Sequence, residues 1–553
     1  MKLTAVRVTL VGILCVLMFL LGMVVEGFHG NGDVRGAEHL IGLSFTAAER
    51  DSMRSGLADQ RTSYENIRKV PLANSVVPSL QFDPRPDGFR PPTNTRFVTS
   101  PPAHIRRPKD LNDLAFASVG ELAELIRTRQ VTSVELTRMY LDRLKKYGPK
   151  LECVVTLTED LALKQARRAD QDLARGIYRG PLHGIPYGIK DLFAVRGYKT
   201  TWGAMPYKDQ VIDENATVVQ RLEAAGAVLV AKTTLGALAM GDVWFGGKTR
   251  NPWKVSQGSS GSSAGSAAAT AAGLVGFAIG TETWGSIVSP ATRCGATGLR
   301  PTYGRVSRAG AMALSWSMDK VGPICRTAED CALVLRAIYG PDGKDPSVAN
   351  IPFSYTPAAD LKRLRIGYVK SEFDSVREDK ANSDAVLATL RSLGATLIPI
   401  ELPNRYPVQD LSIILNAEAG AAFDDLTRSG RDDLLVRQDK DAWPNLFRLS
   451  RFIPAVEYVQ ANRIRQLLIR DMQSLMDTID VYVAPPFEGD NLLLTNLTGH
   501  PCVVLPDGFS KDGTPTSITL MGRLYDEGTV LAVARLYQNA TGFHRKHPDV
   551  SRV

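Results

Sequence analysis

Residues 258–301 read GSSGSSAGSAAATAAGLVGFAIGTETWGSIVSPATRCGATGLRP. The stretch opens on a Gly/Ser-rich loop, Gly258 to Ser266, and continues in small residues to Gly273. Ala is the best helix former, and a helix without bulky side chains packs close to its neighbours. Leu274 to Ile279 is short, apolar and β-rich, which predicts a buried strand. A second small-residue turn follows, Gly280-Thr281-Glu282-Thr283-Trp284-Gly285-Ser286. The pattern is loop, helix, strand, loop. With helix and strand antiparallel, Ser262 and Ser286 meet on one side of a sheet.

These turns have a chemical use. Gly permits positive φ and close backbone approach to a ligand. Consecutive exposed N–H groups form an anion-binding nest. A nucleophilic serine within the second turn would have its oxyanion hole from the amides of Thr283, Trp284, Gly285 and Ser286. The ordinary base is missing: no histidine lies between His183 and His500.

The stretch resembles the signature of the amidase signature family. The matching features are the G-S-S-x-G-S-A-A-A-x-A-A-G type run, then Gly280-Thr281-Glu282 through Gly285-Ser286-Ile287, then Pro290 to Ser307 with Cys294, Gly295 and Gly298-Leu299-Arg300-Pro301. Upstream, Gly184-Ile185-Pro186-Tyr187-Gly188-Ile189-Lys190-Asp191 matches the family's G-I-P-x-x-[IV]-K-D segment. The resemblance runs weakly from about Leu114 to about His547. It implies an α/β/α sandwich around a large mixed β-sheet, with no metal and no organic cofactor.

The resemblance also implies roles. Ser286 is the nucleophile, and Lys190 the ultimate base. A solvated lysine has a pKa near 10.4, and burial lowers it by disfavouring the charged form. Ile185, Ile189, Leu192 and Phe193 would supply the apolar surroundings. Ser262 is the bridging hydroxyl, held through a cis peptide at or near Gly261–Ser262. The Gly/Ser repeat leaves register open; Ser262 fits the spacing to Gly265-Ser266-Ala267, and Ser263 is the neighbouring supporting hydroxyl. Asp191 either orients the loops or takes an ordinary salt-bridge role. Three positions depart from the family: Trp284 for Gly, Val288 for Arg and Glu282 for Asp. The indole either narrows the acyl pocket or packs away from it. Val288 argues against a charged substrate.

A chain of 553 residues can bury a large core, and large α/β enzymes often form one domain at this length. The net charge of +8 is spread along the chain, without a basic-aromatic motif, so a solvated basic surface is expected and no nucleic-acid partner. Lys2 and Arg7 precede an uncharged apolar run, Val8 to Val25. Residues 1–27 read as a cleaved signal peptide or a retained membrane anchor, the first favoured. Either places the folded part outside the cytoplasm, secreted or periplasmic, with membrane attachment through residues 8–25 as the second case.

Residues 28–108 read as a small polar linker to 42, a helix over about 46–68 opened by Thr46 and Glu49, and an arm with nine prolines between 71 and 108. The catalytic domain is expected over 109–553. Ser118 with Glu121 and Thr132 with Glu135 open its first helices. Cys15 lies in the apolar run, and five further cysteines make no disulfide framework. Cys325 and Cys331 would be the pair in an oxidising compartment; the family's habit is buried, free cysteines.

The resemblance implies an amidase that cleaves linear amide C–N bonds of a small-molecule substrate. Two other readings stand beside it: the glutaminase component of a tRNA-dependent amidotransferase, and a catalytically silent binding protein on the same fold.

Overall fold

A computed structural model describes residues 32–101 and 104–552. The expected signal or anchor, residues 1–27, lies outside the described residues, as does Cys15. No helix among the described residues is long and apolar enough to cross a membrane.

Eleven strands form one mixed sheet: β1 (Val154–Leu157), β2 (Pro186–Lys190), β3 (Val228–Thr233), β4 (Phe277–Glu282), β5 (Thr297–Arg300), β6 (Lys320–Cys325), β7 (Ile366–Val369), β8 (Leu397–Ile400), β9 (Val481–Ala484), β10 (Cys502–Phe509) and β11 (Pro515–Gly522). Their spatial order is β1-β3-β2-β4-β6-β5-β10-β11-β9-β7-β8. Helices cover this large mixed sheet, as the α/β/α expectation has it. β2 runs parallel to both β3 and β4, with Ile189 beside Ile279. Their carboxyl ends therefore share one edge of the sheet. Lys190 ends β2 there, and the turn after Glu282 leaves β4 there.

The Ala-rich helix, Ala264–Ala271, is buried along its whole length. Only small side chains allow this. A Cβ on Gly265 would stand 2.3 Å from Cys153 O, and one on Gly280 would stand 2.6 Å from Ser263 Oγ. The Gly/Ser loop is thereby pressed against the end of β4.

Capping boxes open three helices where the sequence places them: Thr46 with Glu49, Ser118 with Glu121, and Thr132 with Glu135. Each satisfies two backbone N–H groups that a helix start leaves unpaired. Other expectations need correction. The expected linker over 28–42 is helical over 32–41. The strand expected at Leu274–Ile279 is shifted to Phe277–Glu282, because Gly276 N–H is used by Pro186 O and β6 pairs with β4 as far as Glu282. The sequence pattern does not announce β6, since Gly322 and Pro323 weaken it. A Cβ at position 322 would meet Leu299 O at 2.0 Å, so close strand approach requires this glycine.

The Pro-rich arm lies across the folded domain. Val98 N–H donates to Tyr355 O at 2.8 Å, and Tyr355 N–H returns to Arg96 O at 2.9 Å. The Phe82 ring sits edge-on to Tyr303, and the Arg465 guanidinium stacks 3.5 Å from the Phe82 ring centroid. Ser100 donates through both N–H and Oγ to Glu329. The helix ahead of the arm, Ala47–Arg68, buries no residue. The five described cysteines are buried and free, Cys325 and Cys331 included. Cys331 Sγ donates to Thr297 O instead.

The arm's landing surface is fixed by a buried ion pair, Arg305–Glu527 at 2.8 Å, both side chains wholly buried. Arg305 also donates to Ile351 O and Tyr525 O. Removing one member leaves a buried charge uncompensated. Glu527→Ala is therefore expected to lower stability by about 3–5 kcal/mol, measured as a drop in the urea midpoint. Glu527→Ala unfolding at the wild-type midpoint would refute this.

Candidate active site

Three segments converge at the carboxyl edge of β2 and β4: the end of β2, the Gly/Ser loop before the Ala-rich helix, and the turn after β4. Lys190 Nζ donates to Ser262 Oγ at 2.8 Å and to Thr281 Oγ1 at 2.8 Å, with Thr281 O at 3.4 Å. Lys190 and Ser262 are both buried. The peptide bond between Gly261 and Ser262 is cis. Burial pushes the amine down to about 7; the carboxylates of Asp319 and Glu282 oppose that shift only in part.

Ser263 joins the loop to β4. Its Oγ donates to Thr281 O at 3.0 Å and accepts from Thr281 N–H at 3.1 Å. Its own N–H donates to Ser286 O at 3.1 Å. Ser286, mostly buried, follows Gly285 at φ +82°. A side chain at 285 would be strained in this backbone region and would press on Leu492 Cδ2 at 3.2 Å. The N–H groups of Thr283, Trp284, Gly285 and Ser286 find no acceptor among the described residues. The turn is thus a row of unused donors beside a serine hydroxyl.

Glu282 holds that turn from beneath. Its Oε2 accepts from Ile287 N–H at 2.8 Å and Val288 N–H at 2.9 Å. Its Oε1 accepts from Arg300 Nη1 at 2.8 Å and Asn496 Nδ2 at 2.9 Å. Burial pushes its pKa up, but Arg300, the Val288 amide and Asn496 outweigh it and hold the carboxyl at about 2. Val288 is fully buried, and Trp284 is 40% exposed, with its indole reaching the surface. Thr283 Oγ1 donates to Asp319 Oδ1 at 2.5 Å, while Leu314 and Ser315 N–H groups take Asp319 Oδ2.

Asp191 faces away from its neighbour. Its Oδ1 pairs with Lys232 Nζ at 2.7 Å, both wholly buried. Its Oδ2 accepts from Thr201 N–H and Oγ1. Lys232 completes its set on Lys199 O and Thr200 Oγ1.

Lys232, Arg300, Asn496, Thr281 and Asp319 receive no role from the sequence. Lys232 carries a signal: a lone lysine ending an apolar strand must find a buried partner. Arg300 sits in the Gly-Leu-Arg-Pro run of the signature. Nothing local marks Asn496, which reaches Glu282 from more than 200 positions away. The buried histidines are taken up away from the relay: His183 Nε2 bonds with Ala169 O, and His500 Nδ1 with Thr498 Oγ1.

A family model described as Amidase matches residues 135–493. The chain is 35% identical over 480 residues to the A subunit of glutamyl-tRNA(Gln) amidotransferase from Coxiella burnetii, covering 78% of this chain and 99% of that protein. It is 36% identical over 479 residues to the corresponding protein of Methylococcus capsulatus, covering 78% and 98%. Among solved structures it is similar to the native peptide amidase of Stenotrophomonas maltophilia, with a TM-score of 0.70 and 31% identity over 78% of this chain and 98% of that one.

The state of Lys190 is measurable without a substrate. Its folded value of about 7 lies below the ordinary 10.5. Between those values the unfolded chain binds the extra proton, so folding stability rises with pH. The contribution is full above pH 10.5 and is lost as pH falls through 7. Relative to Lys190→Met, the wild type should gain roughly 5 kcal/mol across this window, read from urea midpoints. Parallel stability profiles for the two proteins would contradict the buried neutral amine.

Proposed function

This chain belongs to the amidase signature family, and from that premise we propose that it hydrolyses a carboxylic acid amide through an acyl-enzyme on Ser286. The observation that carries the reading is the 2.8 Å bond between Lys190 Nζ and Ser262 Oγ, with the amine held at about 7 by burial. A neutral amine at working pH is a usable base where no imidazole is near.

In this reading Ser286 Oγ attacks the amide carbonyl carbon. Its proton passes to Ser262 Oγ as the Ser262 proton passes to Lys190 Nζ. The carbonyl oxygen gains charge and meets the N–H donors of Thr283, Trp284, Gly285 and Ser286. Such fixed donors favour the tetrahedral state without reorganising. The C–N bond then breaks, and the proton returns through Ser262 to the leaving nitrogen. Water attacks the ester by the same relay in reverse, releasing the carboxylic acid and freeing Ser286. Ser263 fixes the loop, and Asp191 ties the end of β2 to β3 through its ion pair with Lys232.

A second reading draws on the similarity to glutamyl-tRNA(Gln) amidotransferase A subunits: release of ammonia from an amide for use by partner proteins. The apolar run 8–25 and the Pro-rich arm, both before the start of the family match at 135, favour a separate exported amidase. Partner-independent turnover of simple amides distinguishes the two.

Ser286→Ala is expected to lower kcat/KM on amides by about 10³-fold or more and to abolish labelling by a fluorophosphonate. Lys190→Met and Ser262→Ala should each cause a comparable loss, and the double variant little more, because a relay fails as a unit. Wild-type kcat/KM should rise with pH through about 7 and level off above it. Full labelling and turnover in Ser286→Ala, or absence of both in the wild type, would overturn the assignment; the latter would leave a silent binding protein on this fold.

A further inference from the structure

Thr281 and Thr283 also border open space. A cavity of about 270 Å³ lies there, lined by both threonines together with Leu192, Met312 and Leu314. Thr281 is the residue whose hydroxyl accepts from Lys190, and Thr283 begins the row of unused amides. The cavity therefore touches two residues that contact or adjoin the reacting groups, while Lys190, Ser262 and Ser286 are not part of its lining. A larger groove of about 870 Å³, between the arm and residues 354–364, shares none of these residues.

The roof of the smaller cavity comes from the N-terminal arm: Asn74, Ser75 and Val77 line it. This segment precedes the family match, which begins at residue 135. Asn74 pins it down. Its Nδ2 donates to Ala313 O at 2.9 Å and Ala422 O at 3.4 Å, and its Oδ1 accepts from Ala313 N–H at 2.7 Å. Ala313 lies between Met312 and Leu314 of the cavity wall. The arm is thus bonded to the wall it covers.

The lining decides what such a space accepts. Its buried charges already have partners: Arg308 pairs with Asp345 at 2.9 Å, and Asp319 is taken up by Thr283 and two backbone amides. Lys320 donates to Met318 O, and burial keeps its amine well below the ordinary lysine value. Glu214 and Lys344 also line the space, and both are exposed to water. The uncharged part of the lining offers a ligand the apolar surface of Leu192, Met312, Leu314 and Val77. Away from the exposed Glu214 and Lys344, an ionised group would meet only charges that already have partners and would carry most of its desolvation cost unrelieved.

Resting on the amidase reading above, we propose that this cavity is a substrate subsite for an uncharged, apolar substituent of the amide, and that the arm segment 74–77 sets its size. Asn74 is then a positioning residue and Val77 a specificity-determining one. The arm has a function in the chain: it makes one wall of the enzyme's selectivity.

The test compares two amide series on the full chain. One varies the acyl group from small to bulky apolar at a fixed amine; the other varies the amine at a fixed acyl group. The readout is the bulky-to-small ratio of kcat/KM. Val77→Trp narrows the space and should lower that ratio about tenfold or more in one series, since a methylene's worth of misfit in an apolar pocket already costs roughly 10-fold to 200-fold. Asn74→Ala loosens the roof and should raise the same ratio. Fluorophosphonate labelling of Ser286 in every variant separates this inference from the one beneath it. A ratio unchanged in both variants and both series, with Ser286 still labelled, overturns the subsite while leaving the amidase reading intact. Failure of the wild type to label removes the amidase reading itself, and the subsite with it.

Discussion

An ammonium ion wholly withdrawn from water is tolerated only when a counter-charge meets it, or when it gives up its proton. Lys190 has no ion-pair partner among the described residues; it meets two hydroxyls and a carbonyl. The carboxylate next to it in sequence, Asp191, is committed to Lys232 on the other side of the strand. Asp191 directly follows β2, and its N–H still pairs with Thr233 O beside the strand, so its side chain falls on the face opposite that of Lys190, as successive strand residues do. That alternation sends one lysine–carboxylate attraction away from the site and leaves the other lysine unpaired. The same two residues in a loop would pair with each other or with solvent, and the amine would stay charged.

The turn beneath Ser286 shows the opposite solution. Glu282 is equally buried, yet it stays ionised because Arg300, Asn496 and two backbone amides surround it. Arg300 comes from β5 and Asn496 from the helix Asn491–Thr498, so the clamp ties three parts of the chain to one carboxylate. Residue 288 joins the clamp through its backbone alone. Arg300 supplies the positive charge for Glu282, and Val288 contributes only its N–H, so its side chain is free to enter the core. Trp284 sits just beyond this clamp with its indole at the surface, and its backbone N–H remains among the free donors of the turn.

Much of this is legible in the sequence because the decisive constraints are local. Small residues from Gly258 to Gly273 announce a helix that must pack closely, and the burial of Ala264–Ala271 is the result. The capping pairs fix helix starts within one residue. The losses are of two kinds. Strands rich in Gly and Pro, such as β6, exist because neighbouring backbone approaches too closely for a side chain, and no periodicity records that. Partners distant in sequence, such as Lys232 for Asp191 and Asn496 for Glu282, become visible only once the sheet aligns them. The arm belongs with the second kind: prolines foretell an extended segment, but its seat over Met312 and Leu314 follows from Asn74 meeting Ala313.

What sets Lys190 apart from a surface lysine is one proton. Titration of the Lys190 side-chain nitrogen by NMR, in protein labelled with ¹⁵N-lysine and assigned against Lys190→Met, addresses it most directly. A resonance that changes from ammonium to neutral amine at pH about 7 is the result this account requires. A Lys190 nitrogen that remains protonated to its ordinary value near 10.5 would contradict it.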